Sequence, residues 1–292
     1  MNNNDKYLIV SDLDGTLLNS KSELSETTIQ TVKELVNEGH IFCIATGRPL
    51  RSSLHIYKQL ELDSLLINHN GSYISNPSDK EFTPIQLVFN KEIAKQILSD
   101  TKIQEIITNA FLEVDGQNYQ WCHTNKTIEF KDDLWKYYHI DVNDENLINL
   151  NKNPENIKHD LYALLLHISD CDVNLFNKLM YHIKNISPYL QVRMIKIPNL
   201  GMMVEINTYF ADKSMGVNYL TSYYGIPLDK VIAFGDADND MRMLSKVKYG
   251  FAMSNGKDTA KMSARHITKF TNDEDGVSWD LKYFMKNKKQ II

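Results

Sequence analysis

The chain has 292 residues, of which 42% are hydrophobic and 24% are charged, a composition typical of a soluble globular protein with a sizeable core. Its formal net charge of -5 argues against the basic surface that nucleic-acid binding requires, so we expect no nucleic-acid partner. The three cysteines, Cys43, Cys122 and Cys171, show neither disulfide-framework nor zinc-site spacing, and no apolar run approaches the roughly 18 residues of a membrane span. We therefore expect a cytoplasmic protein that does not bind membranes.

The first predicted strand ends in paired negative charges. Residues 7–10, "YLIV", are typical of a strand that is buried on both faces in a parallel sheet. Asp12 and Asp14 follow at once, in "DLDGTLL". Ligands collect at the carboxyl ends of strands in open α/β sheets, so this pair is a candidate site. The alternative is a turn that uses Asp and Gly only for their turn geometry.

Strands and helices continue to alternate after this motif. Ser25 is predicted to cap a helix that stops at Gly39, and "HIFCIATGRP" predicts a second buried strand ending at Thr46-Gly47-Arg48. A helix over about residues 50–60 then leads to "SLLINHNGSYI", a third strand that also ends in polar residues. This order is typical of a doubly wound parallel sheet, an α/β core of the Rossmann-like kind.

The pattern changes between residues 84 and 206. A hairpin is predicted to turn at Asp115-Gly116, and "DLYALLLHIS", "QVRMIKI" and "GMMVEINT" predict further strands. The α/β alternation then returns, with "DKSMGVNYLTSYYG" as a helix and "KVIAFGDADND" as a strand and loop. The sequence therefore predicts a core of residues 1–83 and 207–292 and an inserted α+β domain of residues 84–206.

Several polar groups fall at predicted strand ends or helix starts. They are Asp12, Asp14, Thr46, Lys213, Asp236, Asn239 and Asp240. Two like charges about 4 Å apart repel by roughly 4 kcal/mol at an effective dielectric of 20, and a divalent cation removes that cost. Oxygen ligands favour Mg²⁺ over zinc. The acidic stretches lack the glycine that a calcium-binding EF-hand loop needs at its sixth position, where Leu17 and Met241 stand.

Four motifs together resemble the haloacid dehalogenase superfamily, in particular its Cof-type phosphatases with a large α/β cap of the subfamily IIB kind. In chain order they are "DLDGTLL", "ATGRP", "DKSMGV" and "GDADNDMRML", with a large insert between the second and the third. "NHNGS", "AMSNG" and "DEDGVSW" look like minor signatures of the same branch. Ala237 stands where the family usually has Gly, and Ser254-Asn255-Gly256 replaces a more usual Gly-Asn-Ala.

The resemblance implies a role for each catalytic residue. Asp12 would attack phosphorus and become an aspartyl phosphate, and Asp14 would protonate the leaving oxygen and later deprotonate the attacking water. Thr46 and Lys213 would hold the transferring phosphoryl oxygens.

The resemblance also implies metal and substrate ligands. Asp12, the backbone carbonyl of Asp14, and Asp236 would ligate Mg²⁺, and Asp240 would support the lysine or the metal-bound waters. Asn239 and the Gly47-Arg48 turn would contact the substrate. For some neighbouring residues a structural role is the alternative. Arg48 would then form a surface salt bridge, Asp238 would stabilise a helix start, and His69 would be structural.

The function favoured by these residues is a Mg²⁺-dependent phosphatase that acts on a small phosphorylated metabolite. Sugar phosphates are the expected substrates, with pyridoxal phosphate and flavin mononucleotide as alternatives. A phosphomutase of the same superfamily is a second hypothesis. A signalling receiver is a third, but receivers are single domains in which residues 84–206 would have no place. We expect a monomer or a weak homodimer.

Overall fold

The computed structural model describes residues 6–107, 109–114, 119–123, 147–149, 153–168, 172–197 and 201–291. The chain divides into two compact units. The first comprises Met1–Gly47, Ser53–Ile85 and Asp212–Ile292, and the second comprises Arg48–Ser52 and Gln86–Ala211. The predicted turn at Asp115-Gly116 and Cys171 lie outside the described residues. The domain boundaries at residues 84 and 206 stay a prediction.

The described strands and helices are as follows. The strands are β1 (Leu8–Ser11), β2 (Ile41–Ala45), β3 (Leu66–Asn68), β4 (Tyr73–Ser75), β5 (Ile85–Gln86), β6 (Asn109–Glu113), β7 (Tyr119–His123), β8 (Leu147–Asn149), β9 (Ala163–Ile168), β10 (Leu190–Ile197), β11 (Gly201–Thr208), β12 (Val231–Gly235), β13 (Tyr249–Ala252) and β14 (His266–Ile267). The helices are α1 (Glu26–Asn37), α2 (Leu50–Gln59), α3 (Lys91–Ser99), α4 (Thr101–Gln104), α5 (Val173–Ile186), α6 (Lys213–Tyr224), α7 (Met241–Lys246), α8 (Asp258–Ser263) and α9 (Gly276–Ile291).

The first unit is built on an eight-stranded sheet in the order β14-β13-β12-β1-β2-β3-β4-β5. The strands from β14 to β3 pair in parallel, and β4 pairs antiparallel with β3. Strand β1 lies near the centre, so its residues are buried on both faces, which explains the run "YLIV". The predicted α/β class with a mostly parallel sheet is confirmed.

Local sequence signals fix the helices around this sheet. The Ser25 hydroxyl accepts a hydrogen bond from the backbone N–H of Thr28 at 3.0 Å, which confirms the predicted cap of α1. Helix α6 ends at Tyr224 and is capped by Gly225, which adopts a left-handed conformation with φ of 64°. Val217 and Leu220 of α6 are buried in a core that also contains Leu8 and Val10 of β1. This packing holds α6, which begins at Lys213, against the sheet.

The second unit is built on a six-stranded sheet in the order β10-β11-β9-β6-β7-β8. All of its pairs are antiparallel except β7 with β8. Alternate residues of β9, Leu164, Leu166 and Ile168, are buried in the same core as Ile97 of α3 and Leu179 of α5. The unit is therefore an α+β structure, in which helices cover a face of the sheet. Among the described helices, none combines the length and hydrophobicity that crossing a membrane would require.

Candidate active site

The carboxyl ends of two neighbouring strands of the first unit, β1 and β12, bring acidic residues together. Asp12 follows β1, and its backbone N–H donates to the carbonyl oxygen of Phe234 in β12 at 3.0 Å. Asp236 directly follows β12. Because β1 and β12 are parallel and in register, these two aspartates reach the same edge of the sheet. Asp12 and Asp236 therefore lie together at the ends of parallel strands, as the sequence predicts.

Lys213, the first residue of α6, lies among these carboxylates. Its Nζ is 2.6 Å from Oδ1 of Asp12 and 2.7 Å from Oδ1 of Asp240, and its side chain is 0% exposed. Burial alone would lower the pKa of Lys213, but the two carboxylates outweigh burial and raise the pKa above its ordinary value. The lysine is therefore a fixed cation at this edge of the sheet.

Asp240 uses both carboxylate oxygens inside the protein. One accepts from Lys213, and the other accepts from the backbone N–H groups of Asp236 and Ala237, each at 3.0 Å. Gly235 makes room for it, because a Cβ at that position would lie 2.4 Å from Cγ of Asp240. Asp240 thus holds both the lysine and the loop that carries Asp236.

Three carboxylates could hold a metal ion. Asp12, Asp236 and Asp240 each offer an oxygen within 4.8 Å of the others. Burial, together with the nearby carboxylates, raises the pKa of Asp12 well above its ordinary value, although Lys213 opposes the rise. Burial and the charge of Asp240 raise the pKa of Asp236 to about 7. A hard divalent cation with oxygen ligands fits this donor set, because it would neutralise the crowded carboxylates.

Asp14 lies in a turn, Leu13–Leu17, that follows Asp12. Burial is the main cause of the raised pKa of Asp12 and of Asp236, and the charge of Asp14 adds to the rise in both. Gly15 in the same turn has a φ of 73°, and a Cβ there would lie 2.6 Å from Oδ2 of Asp236. Only glycine therefore combines this conformation with so close an approach to the acidic cluster.

Of the remaining predicted site residues, three belong to the first unit and one, Arg48, belongs to the second. Thr46 and Gly47 follow β2 in the first unit, where Thr46 is buried and its N–H donates to the carbonyl oxygen of Ile67 at 2.9 Å. Asn239 is partly buried and donates from Nδ2 to Oδ1 of Asn70 at 2.8 Å. Arg48 is buried and donates from Nη1 to the carbonyl oxygen of Ser52 at 3.2 Å, but its contacts group it with the second unit.

Some residues at this edge have no role in the sequence-based assignment. Thr16 donates from Oγ1 to Oδ1 of Asp236 at 3.3 Å, and Asn255 donates from Nδ2 to the carbonyl oxygen of Gly15 at 2.8 Å. Asn70 bonds Asn239, as described above. Two of these residues lie in minor signatures of the sequence: Asn70 is in "NHNGS" and Asn255 is in "AMSNG". By contrast, the exposed carboxylate of Asp238 pairs with Lys257 at 2.8 Å.

Comparison with known proteins identifies the family. The family model for haloacid dehalogenase-like hydrolases matches residues 9–281. The chain belongs to this family. The haloacid dehalogenase resemblance and the predicted enzyme class, a phosphatase of this superfamily, are therefore confirmed.

Two relatives from Bacillus subtilis share one phosphatase name. The 5-amino-6-(5-phospho-D-ribitylamino)uracil phosphatase YitU is 32% identical over 292 residues, covering 95% of this chain and 97% of its own. The 5-amino-6-(5-phospho-D-ribitylamino)uracil phosphatase YcsE is 26% identical over 282 residues, covering 96% of each chain.

Solved structures of the haloacid dehalogenase family share the fold. A haloacid dehalogenase-like hydrolase from Bacteroides thetaiotaomicron superimposes with a TM-score of 0.76 at 24% identity, covering 95% of this chain and 99% of that one. The subclass IIB sugar phosphatase BT4131 gives a TM-score of 0.74 at 20% identity, covering 95% and 98%. These two likenesses support the fold assignment alone.

Proposed function

We propose that this hydrolase is a Mg²⁺-dependent phosphatase that hydrolyses small phosphate monoesters through an aspartyl phosphate. The observation that carries the proposal is the buried ammonium of Lys213 between Asp12 and Asp240, beside the carboxylate of Asp236. This arrangement combines a nucleophile, a fixed cation and oxygen ligands for a metal within a few ångströms. A dianionic phosphoryl group needs such positive charge around it, because phosphoryl transfer depends mostly on positioning and charge neutralisation.

The chemistry of this chain's residues takes two steps. Oδ of Asp12 attacks phosphorus, the bond from phosphorus to the ester oxygen breaks, and Asp14 gives that oxygen a proton. Asp14, now a carboxylate, then takes a proton from water as the water attacks phosphorus, which frees Asp12 and releases inorganic phosphate. Both steps need Asp14, first as an acid and then as a base.

Charge on the phosphoryl group would be balanced by Lys213 and by a metal ion. Asp12, Asp236 and the backbone carbonyl of Asp14 would hold the ion, and Thr46 would donate a hydrogen bond to a phosphoryl oxygen. A divalent cation bound there would supply electrostatic stabilisation of the phosphoryl oxygens. Asp240 keeps its oxygens on Lys213 and the Asp236 loop, so it acts as a support.

The substrate class that we propose is a phosphate ester of a sugar or sugar alcohol. The named substrate of the Bacillus subtilis relatives carries its phosphate on a ribityl chain, and BT4131 is described as a sugar phosphatase. Residues 84–206 are proposed to make the main choice among such substrates, because most of the residues assigned in the first unit, namely Asp12, Asp14, Thr46, Lys213 and Asp236, would act on the phosphoryl group or the metal ion. A cytoplasmic location and a monomer or weak homodimer remain predictions.

Phosphate release from a panel of phosphorylated metabolites tests this function. The parent should release phosphate from sugar or sugar-alcohol phosphates, lose activity in EDTA and regain it when MgCl₂ is added. Asp12→Asn should be inactive, since an amide is a poor nucleophile, whereas the exposed Asp238→Asn control should retain parental activity. Activity in Asp12→Asn near that of the parent would contradict the covalent mechanism.

A further inference from the structure

The short turn His69–Gly71 follows β3 at the same edge of the first unit's sheet. Asn70 within it is 2% exposed and has a φ of 56°, in the left-handed region. That conformation costs an ordinary L-residue roughly 1–2 kcal/mol, and asparagine tolerates it better than most. A buried asparagine in this conformation suggests that its side chain is needed where the backbone places it.

Asn70 contacts two loops of the candidate active site. Its backbone N–H donates to the carbonyl oxygen of Thr46 at 3.0 Å. Its side-chain oxygen accepts from Nδ2 of Asn239 at 2.8 Å. Its amide also packs against Gly47, where a Cβ would lie 3.3 Å from Nδ2 of Asn70. Asn70 thus joins the two loops: its backbone bonds Thr46, and its side chain packs on Gly47 and bonds Asn239 in the loop that follows β12.

The next residue extends these contacts to the start of α6. Gly71 has a φ of 103°, and a Cβ there would lie 2.6 Å from the carbonyl oxygen of Asp212. Asp212 caps α6 by accepting from the N–H of Ser214 at 2.8 Å. Lys213 lies between Asp212 and Ser214, so this cap fixes the start of the helix at the lysine. The turn therefore lies against all three elements that supply Thr46, Asn239 and Lys213.

We propose that Asn70 is a positioning residue, which holds Asn239 and the Thr46-Gly47 loop in the geometry that binds the phosphorylated substrate. This inference rests on the proposed phosphatase function. The hydrogen bond uses one of the two N–H groups on Nδ2 of Asn239 and so fixes the plane of its amide, in which Oδ1 can accept from a donor. A substrate hydroxyl is such a donor, which fits a sugar or sugar-alcohol phosphate. Without Asn70 the Asn239 amide can rotate and lose this selectivity.

Asn70→Gly is the variant that isolates the side chain. Glycine adopts a φ of 56° without strain, so the turn should keep its shape, and the thermal midpoint should fall only by what the lost hydrogen bond and the freer unfolded chain cost. We expect kcat/KM for a sugar phosphate to fall about 10–100-fold, by analogy with residues that orient metal ligands. Asn76→Gly is the matched control. It removes an asparagine whose Oδ1 accepts from the backbone N–H and hydroxyl of Ser78, and kcat/KM should not change.

A double-mutant cycle tests whether Asn70 acts through Asn239. If it does, adding Asn70→Gly to Asn239→Ala should cost much less than Asn70→Gly costs in the parent. Independent, multiplying losses would overturn the link through Asn239. An unchanged kcat/KM in Asn70→Gly, measured beside an active parent, would overturn the inference altogether.

The hydrogen bond can also be tested without the reaction. The side-chain amide protons of Asn239, observed by ¹⁵N NMR, should exchange with water more slowly in the parent than in Asn70→Gly. Equal exchange in the two proteins would overturn the inference, whatever the activity. Slower exchange in a parent that hydrolyses no ester of the panel would reject the proposed function and support the positioning of Asn239 by Asn70.

Discussion

Replacing Asp236 by Asn should make the metal-free protein more stable at pH 8. The carboxyl group of Asp236 has its pKa raised from 3.8 to about 7 by burial and by the charge of Asp240. A group with a raised pKa in the folded state contributes stability that is fully present below its unfolded pKa and is lost as pH rises through the folded pKa. The metal-free parent should therefore lose stability between about pH 4 and pH 7.

The size of the effect follows from the shift in the pKa. A difference of about 3 pKa units corresponds to about 4 kcal/mol at 1.36 kcal/mol per unit. Water around the partly buried carboxylate reduces the cost of ionising Asp236. We therefore expect a gain of about 2–4 kcal/mol for Asp236→Asn at pH 8. At pH 4 the aspartate is largely protonated and resembles the amide, so the two proteins should be nearly equal. The asparagine oxygen can still accept from Thr16, which bonds Asp236 in the parent.

Urea unfolding in EDTA at pH 4 and pH 8 measures these differences, and thermal unfolding with added MgCl₂ measures the response to metal. A ligand at 100 times its dissociation constant adds about 2.7 kcal/mol to stability. The parent should show such a gain at pH 8, and Asp236→Asn should show much less.

Asp238→Asn is the control. The hydrogen bond from Lys257 lowers the pKa of Asp238, so this variant should lose about 0–1 kcal/mol and keep the metal response. An Asp236→Asn protein that is less stable than the parent at pH 8 without metal, or equally stabilised by MgCl₂, would refute the reasoning.

The other predictions concern single groups of the first unit. Lys213→Met should lower the free energy of unfolding by about 3–5 kcal/mol, because two buried carboxylates lose their cation; an unchanged urea midpoint would contradict this. Gly15→Ala should abolish the stabilisation by MgCl₂, because its Cβ would displace Asp236, and a parental magnesium titration would show otherwise. Burial raises the pKa of the Cys43 thiol to about 12, so iodoacetamide at pH 8 should label the Cys43 peptide in urea and spare it in the native protein, as read by mass spectrometry. Asp14→Asn with p-nitrophenyl phosphate should give a stoichiometric burst and then slow turnover, with one phosphoryl group on the Asp12 peptide; equal losses on good and poor leaving groups would remove the acid/base role.

The acidic cluster was predictable because its members follow strong local signals. Asp12 and Asp236 each come directly after a run of buried strand residues, and parallel strands in one sheet end at one edge. Lys213 was harder to place, because a lysine at a helix start is usually exposed. The four ordered motifs of the family supplied what hydrophobic periodicity could not.

The contacts that hold the site together were not predictable from the sequence. Asn70 looks like an ordinary turn residue, and its bond to Asn239 depends on a left-handed φ and on a partner far along the chain. The two oxygens of Asp240 divide between Lys213 and two backbone N–H groups, a choice that only the folded loop determines. Such pairings depend on side-chain direction, which strand and helix patterns leave open.

The pairing of β1 with β12 bears on the order in which the protein is assembled during synthesis. Leu8 lies beside Val231, so the first strand waits for roughly 220 further residues before one of its neighbours exists. At about 5–20 residues per second, that interval lasts on the order of 10–45 s. Residues 86–211 leave the ribosome within it and can fold first. The charge cluster of Asp12, Lys213 and Asp236 therefore closes late, so a newly made chain should become able to bind metal only when its synthesis is nearly complete.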